Sequence, residues 1–308
     1  MEIYSENDFV TQPVDIETFI NDNEYLGKIY GGRIYPYWVE HLKEIFPTPY
    51  STEPVNVGIS GALGTGRTVA SIVGMLYDLY RLILVKNPHA KWELLPAINI
   101  NLALLSQDGQ SISPIRDSIL DVIEASPFFN KHRVSEDNAP LSRLFPNNIG
   151  ITVCTSVASI TGTAIVGIFV ESTAVDEMPR QELYDKVTIL CRQSFNRFGS
   201  NNGAPCRNWF IGGIGTSVDD LIDSDDGVFW KKISPSLWEV QAYKGIYSGN
   251  TFTVNRGSET VAPYVVKESG ALLNNTIQVP VEYYAEFEKD TEAALRNLAG
   301  LPVLHKNV

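Results

Sequence analysis

Hydrophobic positions recur along this chain in two alternating rhythms. Val55 to Ile59 is a short apolar run of the kind a buried strand makes. From Val69 to Val85, residues Val69, Ile72, Val73, Leu76, Leu79, Tyr80 and Ile83 return at helical spacing. Ala97 to Leu105 alternates Ile98, Ile100 and Leu102 with Asn99 and Asn101 and reads as a second strand. Ile112 to Phe129 reads as a helix with Ser126-Pro127 near its end, residues 130 to 148 as a polar connection, and Ile149 to Thr155 as a third strand. After a turn at Thr161-Gly162-Thr163, Ile165 to Val170 is apolar on both faces, as a central parallel strand is, and ends at Glu171. Glu182 to Phe198 predicts a helix carrying Arg192 and Arg197, and Ser200 to Cys206 a loop. Trp209 to Ile214 predicts a further strand, closed by Gly215-Thr216-Ser217.

Strands and helices in alternation predict an α/β fold, a mostly parallel sheet flanked by helices. Ligands of such sheets sit at the carboxyl ends of the strands. Upstream, residues 1–23 are polar and acidic and predict a loose arm. Residues 24–234 form the predicted core. Tyr35, Tyr37 and Trp38 open an amphipathic helix continued by Val39, Leu42 and Ile45 and ended by Pro47 and Pro49. These rings either stack on a nucleobase, with Tyr37 and Trp38 as the candidates, or cap the helix against the core. Beyond residue 235, Trp238, Val240, Tyr243, Phe252 and Val254 come in short strand-like pieces, and Glu282 to Leu298 reads as a closing helix. Residues 235–308 predict a small lid or linker subdomain.

The stretch at the first strand's end is the most specific. Ser60-Gly-Ala-Leu-Gly-Thr-Gly-Arg-Thr68 lies between a strand and a helix, the setting of a phosphate-binding loop. Gly61, Gly64 and Gly66 let the backbone of Ala62, Leu63 and Thr65 approach a phosphate, and the helix start adds positive partial charge. Thr68 stands where the hydroxyl that ligates Mg²⁺ belongs. Arg67 stands where lysine is expected, and a planar fork does not replace a compact ammonium conservatively. An ordinary glycine-rich turn is the alternative.

The chain has 308 residues, is 44% hydrophobic and carries a net charge of −12, which argues against coating nucleic acid by bulk attraction. No apolar run reaches the ~18 residues of a membrane span. Cys154, Cys191 and Cys206 are too few and scattered for a disulfide framework and read as reduced thiols in a cytoplasm-like compartment.

A nucleotide hydrolase needs a second acid, at the end of an apolar strand, and a carboxylate that orients water. Glu171 suits the metal-side role. Ser172 falls where the water-orienting glutamate belongs and is not basic enough for it. Asp176 and Glu177 substitute if the chain curls back, or else sit at a helix N-terminus, where acids suit the dipole. Thr216 and Ser217 either sense the γ-phosphate or end a strand.

From about Glu24 to Gly300 the sequence resembles the ATPase part of the large terminase subunit of tailed double-stranded DNA phages. The resemblance is carried by Tyr35-Pro-Tyr-Trp, the glycine stretch, Leu76-Tyr-Asp-Leu-Tyr-Arg-Leu, Ile165-Val-Gly-Ile-Phe-Val-Glu, Gly249-Asn-Thr-Phe-Thr-Val and Phe287-Glu-Lys-Asp-Thr-Glu-Ala-Ala-Leu-Arg-Asn-Leu-Ala-Gly. It implies a P-loop NTPase of the additional-strand type that uses ATP and Mg²⁺. It implies a homo-oligomeric ring docked on the portal protein, with a small terminase subunit as partner, pumping double-stranded viral DNA. Its place would be the host cytoplasm and, transiently, the procapsid portal vertex. Residue by residue, Gly61, Gly64, Gly66 and Thr68 match the family's phosphate loop, Glu171 its metal-side acid, and Thr216-Ser217 its coupling motif. Arg67 and Ser172 depart from the pattern, so a nucleotide-binding module with little hydrolysis is the competing expectation. The family continues into a nuclease domain where this chain reaches Val308, so nuclease activity is not expected of it.

Overall fold

The computed structural model describes residues 4–134, 141–156, 158, 163–194, 196, 198, 205–223, 230–267 and 275–304. The expected turn at 161–163, Arg197 and most of the loop at 200–206 lie outside them, apart from Thr163, Pro205 and Cys206.

In chain order, the first half carries α1 (Ile16–Asn21), α2 (Gly27–Tyr30), α3 (Pro36–Ile45), β1 (Asn56–Ile59), α4 (Arg67–Leu84), α5 (Pro88–Lys91), β2 (Asn99–Leu105), α6 (Ser113–Ala125), α7 (Pro127–His132) and β3 (Ile149–Cys154). Then come β4 (Thr163–Glu171), α8 (Ser172–Val175), α9 (Arg180–Ser194), β5 (Asn208–Ile211), α10 (Ser217–Asp223) and β6 (Trp230–Ile233). The last part holds α11 (Leu237–Gln241), β7 (Thr251–Asn255), β8 (Tyr264–Val265), β9 (Thr276–Pro280), α12 (Tyr284–Lys289) and α13 (Thr291–Asn297).

Six strands form one sheet in the order β3-β2-β4-β5-β1-β6, every neighbouring pair parallel. β5 lies between β1, which leads into the glycine loop, and β4, which ends in Glu171. One strand between loop strand and acid strand is the additional-strand P-loop arrangement. All of β1, β5 and most of β4 are buried, as their uninterrupted apolar runs require.

α4 is buried on nearly every side. Its Gly74 takes the Trp209 indole, which would stand 2.2 Å from a Cβ there. Its opposite side is covered by the chain's first residues, which are not a loose arm. Tyr4, Phe9, Ile16, Phe19 and Ile20 are buried. Phe19 packs 5.2 Å from Tyr77 and 4.9 Å from Tyr80, and Tyr77 donates its hydroxyl to the Val14 carbonyl at 2.6 Å. The aromatic residues of α4 leave a face that only a second apolar layer removes from water.

Beneath the sheet, Asp78, Arg81 and Arg207 are wholly buried together. Asp78 accepts from Arg81, from the Arg207 guanidinium and backbone N–H at 3.1 Å each, and from Trp209 Nε1 at 3.4 Å. Their Nη groups also reach the carbonyls of Ile45, Pro49, Ser51 and Glu53, while the buried Nε–H of each arginine has no partner among the described residues. One carboxylate thus serves two cations, and backbone oxygens supply part of the solvation water would have given.

Three expected elements differ. The helix over 112–129 breaks at Ser126, whose hydroxyl accepts from the Phe129 N–H, with Pro127 at the first helical position. The closing helix breaks at Asp290, which caps α13 through the Ala293 N–H at 3.0 Å. Trp238 and Val240 lie in α11, started by a Ser236/Glu239 capping box, and not in a strand. The later residues otherwise form a three-stranded antiparallel sheet, β8-β7-β9, with its own core of Val254, Val279, Phe287 and Leu295.

Candidate functional site

The glycine loop leaves β1 with Gly61 at φ +99° and enters α4 through Gly66 at φ +80°, backbone angles a Cβ resists. The outer side of the loop is fastened to residues far away in sequence. Ser60 N–H donates to Ile233 O, Ala62 N–H to Pro235 O and Leu63 N–H to Asn297 O, each at 2.9 Å. Gly300 is wedged behind them, where a Cβ would come within 2.6 Å of the Ala62 nitrogen. Thr65 donates its hydroxyl to Ala62 O at 2.9 Å, and its own carbonyl accepts from Trp38 Nε1 at 2.5 Å. Loop shape is therefore set from both flanks. The N–H groups of Gly64 to Thr68, at the head of the 18-residue α4, have no partner outside the helix among the described residues. They form an anion cradle with the helix dipole behind it.

Arg67 lies across this cradle. Its Nη1 donates to Gly61 O at 2.9 Å and to Gly212 O, just beyond β5. Burial lowers the guanidinium's proton affinity, and the charges of Glu171 and Asp219 oppose that. The position expected to hold lysine thus holds a cation spanning the ends of β1 and β5. Thr68 follows it in the first turn of α4, half-buried.

Glu171 is buried at the end of β4. Its carboxylate caps α8, accepting from the Thr173 N–H at 2.9 Å and from the Thr173 hydroxyl. The Ser172 hydroxyl lies 3.5 Å from its other oxygen. Asp176 and Glu177 are exposed in the turn after α8 and not in the first turn of a helix, since α9 begins at Arg180. The Glu177 N–H donates to Gln107 Oε1 at 3.0 Å, which fixes this turn on the end of β2. Thr216 donates its hydroxyl to Gly213 O at 2.8 Å and accepts from the Asp219 N–H at 3.2 Å; Ser217 begins α10.

Among the described residues no three His, Cys, Asp or Glu side chains cluster as a metal site. Mg²⁺ held through waters, one carboxylate, one hydroxyl and substrate phosphates needs no such cluster, so Thr68 and Glu171 fit that ion by donor type.

The aromatic residues divide between the two expected roles. Trp38 is 1% exposed and offers no face to a base. Tyr37 packs edge-on against it at 5.2 Å, and burial, with Glu239 and Glu44 nearby, pushes its phenol up to about 12. Tyr35 instead lies 3.5 Å from where a Gly66 Cβ would be. A cavity of about 360 Å³ opens beside the loop, lined by Arg33, Ile34, Tyr35, Trp38, Gly64, Gly66 and Val69.

Asp219 escaped the sequence reading. It accepts from the Ser60 hydroxyl at 2.5 Å and from the Gly215 N–H at 2.8 Å. The available signal was Thr216-Ser-Val-Asp219, the spacing of a helix capping box.

No protein-family model matches the chain, and no curated protein matches it significantly. Among solved structures it is similar to the large terminase of the thermophilic bacteriophage D6E in complex with ADP. That similarity is distant, with a TM-score of 0.39 and 13% identity over 89% of this chain and 76% of the other.

Proposed function

We propose that this chain is the ATPase subunit of a viral DNA-packaging motor. It binds ATP with Mg²⁺ on the loop from Gly61 to Thr68 and couples hydrolysis to movement of double-stranded DNA. The observation that carries the nucleotide part is the cradle itself: unpaired N–H groups from Gly64 to Thr68 at the head of a long helix, with the Arg67 guanidinium across them and the Glu171 strand one strand away. The cavity lined by Tyr35 is the place for the base. Mg²⁺, when bound, would neutralise phosphate charge, with Thr68 and Glu171 as its protein partners. Arg67, held through Nη1 by the Gly61 and Gly212 carbonyls, offers its remaining guanidinium donors to the phosphates in a charge-assisted contact that changes on hydrolysis. Thr216 and Ser217, on the turn whose neighbour Gly212 holds Arg67, carry the change onward.

The packaging part rests on the sequence resemblance. It brings a homo-oligomeric ring, the portal protein, a small terminase subunit and double-stranded DNA as partners, in the host cytoplasm and at the procapsid portal vertex. The test is steady-state ATP turnover with DNA and assembled portal. Stimulated turnover that an Arg67→Ala, Thr68→Ala chain lacks supports the motor. Turnover equal to that control sinks it.

One observation favours the second reading, a nucleotide-binding module with little hydrolysis. The Glu171 carboxylate is already engaged by Thr173, and Ser172 stands next to it where a base belongs. ATP binding without turnover, in the presence of portal and DNA, is the result that selects it.

A further inference from the structure

We propose that Asp219 is a positioning residue of the nucleotide site, holding the turn after β5 against the glycine loop so that Arg67 keeps its β5-side anchor. This rests on the nucleotide reading above. A carboxylate three residues past Thr216 needs only a contact to a nearby N–H to start α10, and the Gly215 N–H at 2.8 Å supplies it. The second contact is of another kind. The Ser60 hydroxyl, 2.5 Å from Oδ1, belongs to the segment that leads from β1 into the glycine loop, and Ser60 is buried. Asp219 therefore joins the carboxyl ends of two neighbouring strands.

Gly212 completes the connection. A Cβ there would lie 2.8 Å from the Asp219 nitrogen and 3.1 Å from its Cα, so the end of β5 and the first turn of α10 touch backbone to backbone. The Gly212 carbonyl on that backbone accepts from Arg67, which also holds Gly61 O. The contacts close a ring: Ser60 to Asp219, Asp219 to Gly212, Gly212 to Arg67, and Arg67 to Gly61 beside Ser60. Asp219 also offsets the charge of the half-buried guanidinium, with Glu171. Without Asp219 the turn loses its tie to Ser60, and the Gly212 carbonyl that anchors Arg67 is held to β1, among the described residues, only through the Gly212 N–H on Ile59 O at 2.9 Å. The orientation that aims it at a phosphate is then no longer built in beforehand.

The experiment is a double-mutant cycle on Mg-ATP affinity, by calorimetry on the full chain, with Asp219→Ala, Arg67→Ala and the pair. Each single change is expected to weaken binding about tenfold, the size of one charge-assisted contact. The double variant is expected to bind no worse than about twofold below either single, because both remove one arrangement. Asp219→Asn, which has one acceptor oxygen for two donors, and Ser60→Ala, which leaves the carboxylate, repeat the cycle should Asp219→Ala fail to fold. A residue that only stabilises α10 would lower the melting temperature with effects that simply multiply those of Arg67→Ala. That multiplicative result, or affinity unchanged or tightened by Asp219→Ala, overturns the proposal while leaving nucleotide binding intact. Absence of Mg-ATP binding by the unaltered chain overturns the nucleotide reading and this proposal with it.

Discussion

The indole N–H of Trp38 donates to the backbone carbonyl of Thr65 at 2.5 Å, so a residue of the first long helix holds the middle of a loop 27 positions away. The ring is buried, and its Nε1 lies 3.6 Å from where a Gly66 Cβ would be. Its work is to shape the loop, not to stack on a base. Trp38→Phe keeps much of the packing and leaves a buried carbonyl without its partner. A loss of roughly 1–3 kcal/mol in urea unfolding is expected, together with weaker binding of nucleotide. Unchanged stability and affinity would show that the contact does neither.

The acids invite a direct comparison. Restoring a carboxylate by Ser172→Glu is expected to raise single-turnover hydrolysis, since a missing general base costs roughly 10²–10⁴-fold in the chemical step. Glu177→Gln is expected to change little, because Glu177 is exposed in a turn tied to Gln107. If Glu177→Gln abolishes hydrolysis while Ser172→Glu does nothing, the base is Glu177 and the turn closes on the site when nucleotide binds.

The buried ions under the sheet predict a severe stability effect far from the loop. Asp78→Asn leaves two guanidiniums facing each other with no counter-charge. Breaking such a group by removing one partner typically costs about 3–5 kcal/mol. Urea midpoints measure it. A chain in which Asp78, Arg81 and Arg207 are all replaced by apolar residues is expected to recover much of that loss.

Stability should fall on the alkaline side, and the first part of the fall belongs to two buried thiols, Cys206, which burial holds well above the usual thiol range, and Cys191. Burial pushes the Cys191 thiol from an ordinary value near 9 up to about 12, with the Asn208 side-chain amide 3.6 Å from the sulfur. Above pH 9 the unfolded chain gives up this proton and the folded chain keeps it. The unfolded state then binds fewer protons, and stability declines with rising pH. Tyr37, pushed from 10 up to about 12, adds to the decline above pH 10. Arg207 works the other way from there, because burial holds it down to about 10. Denaturant midpoints between pH 8 and 11 should fall in the unaltered chain and fall less in Cys191→Ala. An equal fall in both assigns the effect elsewhere.

What the sequence settled by itself is local. Two periodicities, one for strands and one for helices, are written in side-chain polarity, so β2, β3, β4 and α4 lie close to where the pattern placed them. Glycines at 61, 64 and 66 between a strand and a helix announce an anion-binding turn, because few other residues take those backbone angles. An apolar strand ending in Glu171 sets an acid at the carboxyl edge of a parallel sheet. Tertiary structure alone decided the rest, and each case involves partners distant along the chain. The first 23 residues look polar in the mean, yet Phe19 and Ile20 fill the outer face of α4, and composition does not register a few anchors. β6 became a strand because β1 had an open edge for it, a matter of pairing and not of its own four residues. Whether Trp38 stacks or shapes depended on which side of α3 met the loop. Asp219 became part of the site only because the sheet order sets β5 beside β1, which brings its carboxylate to Ser60 across 159 positions of sequence. Hydrogen bonds of that reach have no periodicity to betray them, and they exist only once the sheet has closed.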